Sequence, residues 1–277
     1  SRVALEQDLQ RALARGELDV VYQPIVDPRS GRAIACEALL RCNHPELGPI
    51  APDVFIPIAE ATGLISSIGS WVLMKACVEA THWSPDIKVS VNLSPVQFRH
   101  GREVVDRVAA ALAESGLSPS RLDLEITESV FIDDNAATLG ILEELRAMKI
   151  GISLDDFGTG FASLAYLNDF PFSKIKIDRK FSQKVDESPR TSAIVNGTAQ
   201  IARELRMECI AEGVETEVQL ERLRSFGINA IQGYLFSRPL TARQIRKLIK
   251  DPICPVSTRA APRLSERHTL QRRKAAS

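Results

Sequence analysis

Residues able to hold hard cations recur along this chain: Glu37, Asn92, Glu125, the adjacent pair Asp155 and Asp156, and Glu212, while Lys176 and Gln232 are polar residues at corresponding strand ends. Carboxylates gathered in one place repel one another and hold their protons more tightly unless cations neutralise them. Oxygen ligands with one Asn and neither Cys nor His suit Mg2+ or Mn2+ rather than zinc. The Asp155–Asp156 doublet lets one carboxylate bridge two ions while its neighbour binds the second. Two ions about 3.5–4 Å apart activate water and stabilise the leaving oxygen of an in-line phosphoryl transfer.

That chemistry requires the residues to converge, and the pattern around them supplies a means. Short apolar runs read as strands at 20–26, 33–40, 87–93, 121–126, 150–155, 173–177, 207–211 and 228–231. Helical spacing is expected over 3–15, 52–61, 64–82, 102–115, 136–148, 190–205, 217–226 and 242–249. Strand–helix alternation of this length predicts an α/β fold, a (β/α)8 TIM-like barrel with an antiparallel first strand, because 20–26 and 33–40 form a hairpin around Asp27–Gly31. A doubly wound open sheet is the alternative, but no glycine-rich dinucleotide turn follows the first strand. The polar residues singled out stand at or near the ends of successive strands, and in a barrel those ends share one rim. Alternation agrees: Val89, Val91 and Leu93 share one strand face while Lys88, Ser90 and Asn92 share the other, directed into the barrel.

Composition bounds the remainder. The 277 residues carry 35 basic and 35 acidic side chains, but residues 251–277 hold six Lys/Arg against Asp251 and Glu266, a net of +4 that leaves residues 1–250 at −4. An acidic body is a poor general nucleic-acid binder, since such affinity comes from neutralising phosphates. Residues 1–250 read as one domain and residues 251–277, with Pro252, Pro255 and Pro262, as a basic disordered tail. Five cysteines form no CxxC pair, which favours reduced thiols and a cytoplasmic setting, or the cytoplasmic part of a membrane-bound protein. No apolar run approaches the roughly 18 residues of a membrane span. A first residue of Ser suggests excision or processing from a longer chain.

The motifs stand in a telling order. Tyr22-Gln-Pro-Ile25 precedes Glu37-Ala-Leu-Leu-Arg41, then come Phe55-Ile-Pro, Ala59-Glu, Val91-Asn-Leu-Ser94, Glu125-Ile-Thr-Glu128 and Asp155-Asp-Phe-Gly-Thr-Gly160. Lys176-Ile-Asp178, Ala211-Glu-Gly-Val-Glu215 and Gln232-Gly-Tyr complete the series. Taken together, residues 3–245 resemble the EAL-domain family of cyclic di-GMP phosphodiesterases. The resemblance implies hydrolysis of cyclic di-GMP to linear pGpG, which lowers a bacterial second messenger. One metal would take Glu37, Asn92, Glu125 and Asp155, and the second Asp155, Asp156 and Glu212, with Lys176 on the attacking water. Glu128 is implied to anchor the loop 156–164, with Glu215 and Gln232 in support. Gln23, Leu39, Arg41 and Asp178 are implied substrate contacts, joined at the rim by Gln232, and an Arg fork beside a phosphodiester is chemically natural. A homodimer and control by a sensor or cyclase domain outside this chain follow from the same resemblance.

One position departs from the family pattern: Cys42 stands where Trp is usual. Single residues also have plain structural readings. Glu128 and Glu215 could complement helix dipoles, Lys176 could pair with Asp155 or Asp178, Asn92 could cap the turn at Ser94, and His44 reads as a loop residue. A non-catalytic cyclic di-GMP receptor is the competing class, which the intact set Glu37, Asn92, Glu125, Asp155, Asp156, Lys176 and Glu212 disfavours. An unrelated sugar-phosphate barrel leaves the stretch from Gln23 to Arg41 unexplained.

Overall fold

The computed structural model describes residues 2–131, 135–158, 167 and 169–256. Of the expected tail 251–277, the residues beyond 256 lie outside the described residues, as do Thr159, Gly160 and the rest of the loop to residue 164. Among the described residues nine strands form one sheet: β1 (Leu18–Val26), β2 (Ala33–His44), β3 (Gly48–Ile50), β4 (Lys88–Asn92), β5 (Leu122–Thr127), β6 (Gly151–Phe157), β7 (Lys174–Ile177), β8 (Glu208–Ala211) and β9 (Ala230–Ile231). The sheet closes because β1 pairs with both β2 and β9, antiparallel to each, while β2 and β4 through β9 run parallel to one another. β3 pairs only with the end of β2, which leaves a ring of eight strands.

The hairpin β1–β2 begins the barrel because its turn is chemically specified. Asp27 Oδ1 accepts from the Arg29 N–H at 2.7 Å, and Gly31 takes a φ of 71° that disfavours larger residues. β2 extends to His44 rather than stopping near residue 40, since β3 returns along Cys42–His44. His44 is therefore a buried strand residue, not a loop residue, with Nδ1 accepting from the Glu46 and Leu47 N–H groups and Nε2 on Asp8. The seam between β1 and β9 is short, with Val26 opposite Ile231. A bridge from Tyr22 to Leu240 reinforces it, and the C-terminal segment bonds across it, Ile253 N–H to Gly31 O and Val256 N–H to Leu235 O, both at 2.7 Å.

Alternation sorts the strand side chains. Val89, Val91, Leu122, Leu124, Ile126, Ile152, Leu154, Ile175 and Ile177 face outward into the main core beneath the helices. Cys36 and Cys209 are part of that core as small hydrophobes. Inside the barrel a separate small cluster of Ile25, Ala35, Ile210 and Ala230 fills the space near the seam. Polar residues occupy the rest of the interior and are split between the two ends.

At the N-terminal end, Asp123 is wholly buried, with Lys174 Nζ at 2.5 Å and Lys88 Nζ at 3.4 Å, while Glu208 lies 3.4 Å from Lys174. Gly151, opposite Asp123 in the register, makes this pair possible, since a Cβ there would lie 1.8 Å from Asp123 Oδ1. Conversion of Gly151 to Ala is expected to push the carboxylate off Lys174. Breaking a buried pair costs about 3–5 kcal/mol, so the variant should show a clearly lower urea midpoint; an unchanged midpoint would mean that this cluster contributes little.

Candidate active site

The C-terminal end of the barrel collects the residues picked out in the sequence. Glu37 enters from β2, Asn92 from the end of β4, Glu125 from β5, Asp155 and Asp156 from β6, and Lys176 from β7. Glu212 follows β8 and Gln232 follows β9. Lys176 sits at their centre. Its side chain is fully buried, with Nζ 2.5 Å from Glu212, 2.6 Å from Glu125, 3.4 Å from Asp155 and 3.5 Å from Glu37. Glu37 is further held by Asn92 Nδ2 on Oε1 and Gln232 Nε2 on Oε2, each at 2.6 Å. Asn92 thus faces Glu37 across the rim, and the N-cap beyond it is Ser94, whose hydroxyl also donates to Glu60 Oε1 at 2.7 Å.

Adjacent residues on a strand ordinarily face opposite sides. Between Leu154 and Phe157 the pairing of β6 with β7 shifts, so that one extra residue lies on β6. Asp156 takes the left-handed conformation, φ 54°, and its N–H donates to Asp155 Oδ1 at 2.9 Å. Such a bulge re-aims a side chain at the cost of one ladder position. It brings Asp155 and Asp156 to the same side, where ligand oxygens of Asp155, Asp156 and Glu212 all lie within 4.8 Å of one another. The chain after the bulge is tied down by Glu128, whose Oε1 accepts from the Gly158 N–H at 3.2 Å.

The charge balance of this group is uneven. Burial opposes the charged form of Lys176, but Asp155, Glu125, Glu212 and Glu37 outweigh it and keep the amine protonated far above its ordinary range. One ammonium cannot neutralise four carboxylates. Burial raises Glu37 as well, yet Lys176 and the amides of Gln232 and Asn92 win and hold it ionised below its usual value. Glu125 and Glu212 are pushed well above theirs, first by burial and then by neighbouring carboxylates. Burial, Asp155 and Asp178 raise Asp156 to about 6. Glu125 Oε1 is buried with no hydrogen-bond partner among the described residues. Crowded carboxylates that hold protons, with an acceptor left over, form a donor set that fits divalent cations.

A cleft of about 250 Å3 opens onto the site, lined by Gln23, Leu39, Glu37, Asp155, Glu212 and Gln232 among others. Gln23 accepts from Gln232 Nε2 at 3.2 Å and donates to Ser237 O at 3.1 Å. Arg41 lies further along β2, its Nη1 on Leu40 O at 2.8 Å, and is not part of that lining. Asp178 caps the helix Arg179–Ser182 through the Lys180 N–H and stands beside Asp156. Glu215 accepts from Gln183 Nε2 at 3.1 Å at the cleft margin. Arg179, Gln183 and Tyr234 also line the cleft and were given no role from sequence; they lie just beyond strand ends, where neither periodicity nor spacing marks them. A larger cleft of about 560 Å3, between the helices Pro189–Glu204 and Glu217–Ser225, contains none of the rim residues.

The closed barrel, its first strand reversed, gathers carboxylates and a buried lysine at its C-terminal rim, the end where barrel enzymes carry their active sites. The chain belongs to the EAL-domain family, whose sequence profile matches residues 6–239. It is 46% identical over 248 residues to the bifunctional diguanylate cyclase/cyclic di-GMP phosphodiesterase MucR of Pseudomonas aeruginosa, covering 88% of this chain and 36% of that protein. The chain spans about a third of the length of the curated relatives it matches. The solved PaMucR phosphodiesterase in complex with c-di-GMP superposes with a TM-score of 0.83 at 46% identity, over 87% of this chain and 99% of that one. The manganese/cyclic-diGMP complex of BlrP1 from Klebsiella pneumoniae gives a TM-score of 0.72 at 29% identity, over 81% of this chain and 56% of that one.

Protons and divalent cations compete for these carboxylates. With its folded pKa raised to about 6 from an ordinary 3.8, Asp156 binds more protons folded than unfolded between those values. Its contribution to metal-free stability is therefore lost as pH rises through about 6, while its affinity for cations grows. The rise in melting temperature on adding Mn2+ is expected to be small near about pH 5 and large near about pH 8. A rise independent of pH would show that these carboxyl groups do not bind the ion.

Proposed function

We propose that this chain is a metal-dependent phosphodiesterase that hydrolyses cyclic di-GMP to linear pGpG. The observation that carries the reading is the arrangement of Glu37, Glu125, Asp155 and Glu212 within ion-pair distance of one buried Lys176, with Asp156 turned into the same site. Two divalent cations, Mg2+ or Mn2+, would be held by Glu37, Asn92, Glu125 and Asp155 on one side and by Asp155, Asp156 and Glu212 on the other. When bound, such ions supply Lewis-acid stabilisation of the reacting phosphate and a more acidic water.

The chain's own residues do the remainder. Beside four carboxylates in the metal-free site Lys176 carries its proton, and as an ammonium it would donate a hydrogen bond to the attacking water and offset negative charge as it develops. Asn92 and Gln232 fix the Glu37 carboxylate from both oxygens. Gln23, Leu39, Arg41, Asp178 and Gln232 orient the dinucleotide, Arg41 through a charge-assisted fork to a phosphate. Glu128 secures the chain after Asp156, and Glu215 the margin after Glu212. Among the described residues no helix is long and apolar enough to cross a membrane. The chain would act in the cytoplasm, as a pair of copies, under the control of a sensor or cyclase domain elsewhere.

Incubation with Mg2+ and cyclic di-GMP is expected to yield pGpG, and EDTA to abolish it. Asp155→Asn should be inactive even at saturating Mg2+, because a carboxylate shared by both ions cannot be replaced by excess metal. Tight binding of cyclic di-GMP with no product would make the chain a receptor instead. Near wild-type turnover of Asp155→Asn would remove Asp155 from the bridging role.

A further inference from the structure

The loop from β8 to the helix Glu217–Ser225 carries Glu212, and two glutamines without an assigned role hold it. Gln219 is buried, 7% exposed, in the first turn of that helix. It completes a capping box with Thr216: its N–H donates to Thr216 Oγ1 and its Oε1 accepts from the Thr216 N–H, both at 3.2 Å. A cap requires no more than that. Gln219 Oε1 also accepts from the Glu215 N–H at 2.9 Å, and Nε2 reaches out of the helix to Gln183 O at 3.1 Å. Gln183 returns the contact, its Nε2 donating to Glu215 Oε1 at 3.1 Å. The two side chains therefore lock residues 215–216 to the segment that follows β7.

The other side of the loop has no slack. The Glu212 N–H bonds Ile177 O and the Val214 N–H bonds Gln232 O, each at 3.1 Å. Gly213, at φ 64°, packs where a Cβ would lie 2.4 Å from Arg179 Cβ, and Gly233 packs where a Cβ would lie 2.0 Å from Val214 O. A loop gripped along its length transmits any shift at residues 215–216 to Glu212, whose carboxylate must meet both Lys176 and the Asp155–Asp156 pair.

We propose that Gln219, acting through Gln183, is a positioning residue for Glu212. Its carboxamide sets the loop against the segment after β7 so that Glu212 shares one cation position with Asp155 and Asp156. The proposal rests on the reading that these carboxylates hold a divalent cation. It is more than a helix cap, because the donor Nε2 serves no capping function, and Glu at this position would cap equally well.

Gln219→Glu separates the two roles, since it keeps the cap and removes the donor. Outer partners of metal ligands are typically worth about 10–100-fold in affinity or activity. The variant should melt as the wild type does, yet bind Mn2+ about 10-fold more weakly by calorimetry, with kcat reduced and KM for cyclic di-GMP unchanged. Gln183→Ala, which leaves the cap untouched, should show the same pattern to a smaller degree, and Gln219→Ala should lower the melting temperature as well. Wild-type Mn2+ affinity in both Gln219→Glu and Gln183→Ala would overturn the proposal and leave Gln219 as a helix cap. If the wild type bound Mn2+ but made no pGpG, the phosphodiesterase reading would fail while calorimetry still decided this one.

Discussion

A single buried ammonium organises the C-terminal end of the barrel. Lys176 is enclosed on all sides, and a charge in such a place is tolerable only where opposite charges and hydrogen bonds surround it. Glu37, Glu125, Asp155 and Glu212 supply them, each from a different strand or the loop after one. The lysine thereby fixes where four separate pieces of chain must end. The converse constraint gives the site its chemistry. Four carboxylates around one cation leave an excess of negative charge, which is relieved either by protons or by divalent ions. The placing of the strand ends and the raised proton affinity of Glu125 and Glu212 follow from the same imbalance.

The barrel has an ion cluster at each end, and their differences separate support from function. At the N-terminal end Asp123 is paired with Lys174 and Lys88, and Gly151 leaves no room for anything more. That cluster is closed. At the C-terminal end the bulge in β6 turns Asp156 toward Asp155, the cleft reaches Glu37 and Glu212, and Glu125 retains an acceptor without a partner. Regular strand geometry is given up at the doublet where two carboxylates serve one place, while the other register shift among the described strands, at Ile25–Val26 of β1, lies beside the hairpin turn. Backbone strain at Asp156 is held by neighbours that over-determine it, the Asp155 carboxylate beneath and Glu128 beyond.

Much of this was legible in the sequence because each strand carries its own polarity. Apolar residues on alternate positions specify the outer face, so the residues between them must point inward, and chain direction then places strand ends on one rim. The doublet Asp155–Asp156 announced its own exception, since two neighbours cannot share a face without a turn. What stayed hidden depended on partners remote in sequence. Nothing near His44 indicates that β3 extends the strand through it. The separation of Asp123 from Glu125, two residues apart on one strand yet in different clusters, emerges only from the register against Gly151 and Lys174. Gln183 and Gln219 are 36 positions apart and unremarkable alone.

In the proposed mechanism the charge of Lys176 acts on the reaction and is not only a structural counter-ion. The direct measurement is steady-state hydrolysis of cyclic di-GMP by Lys176→Ala at saturating Mn2+, where divalent cations neutralise the carboxylates that the lysine otherwise balances. Loss of a donor aimed at developing charge lowers kcat by about 10²–10³, and a fall of that order is expected with KM little changed. A raised KM at constant kcat would contradict it and make Lys176 a substrate anchor.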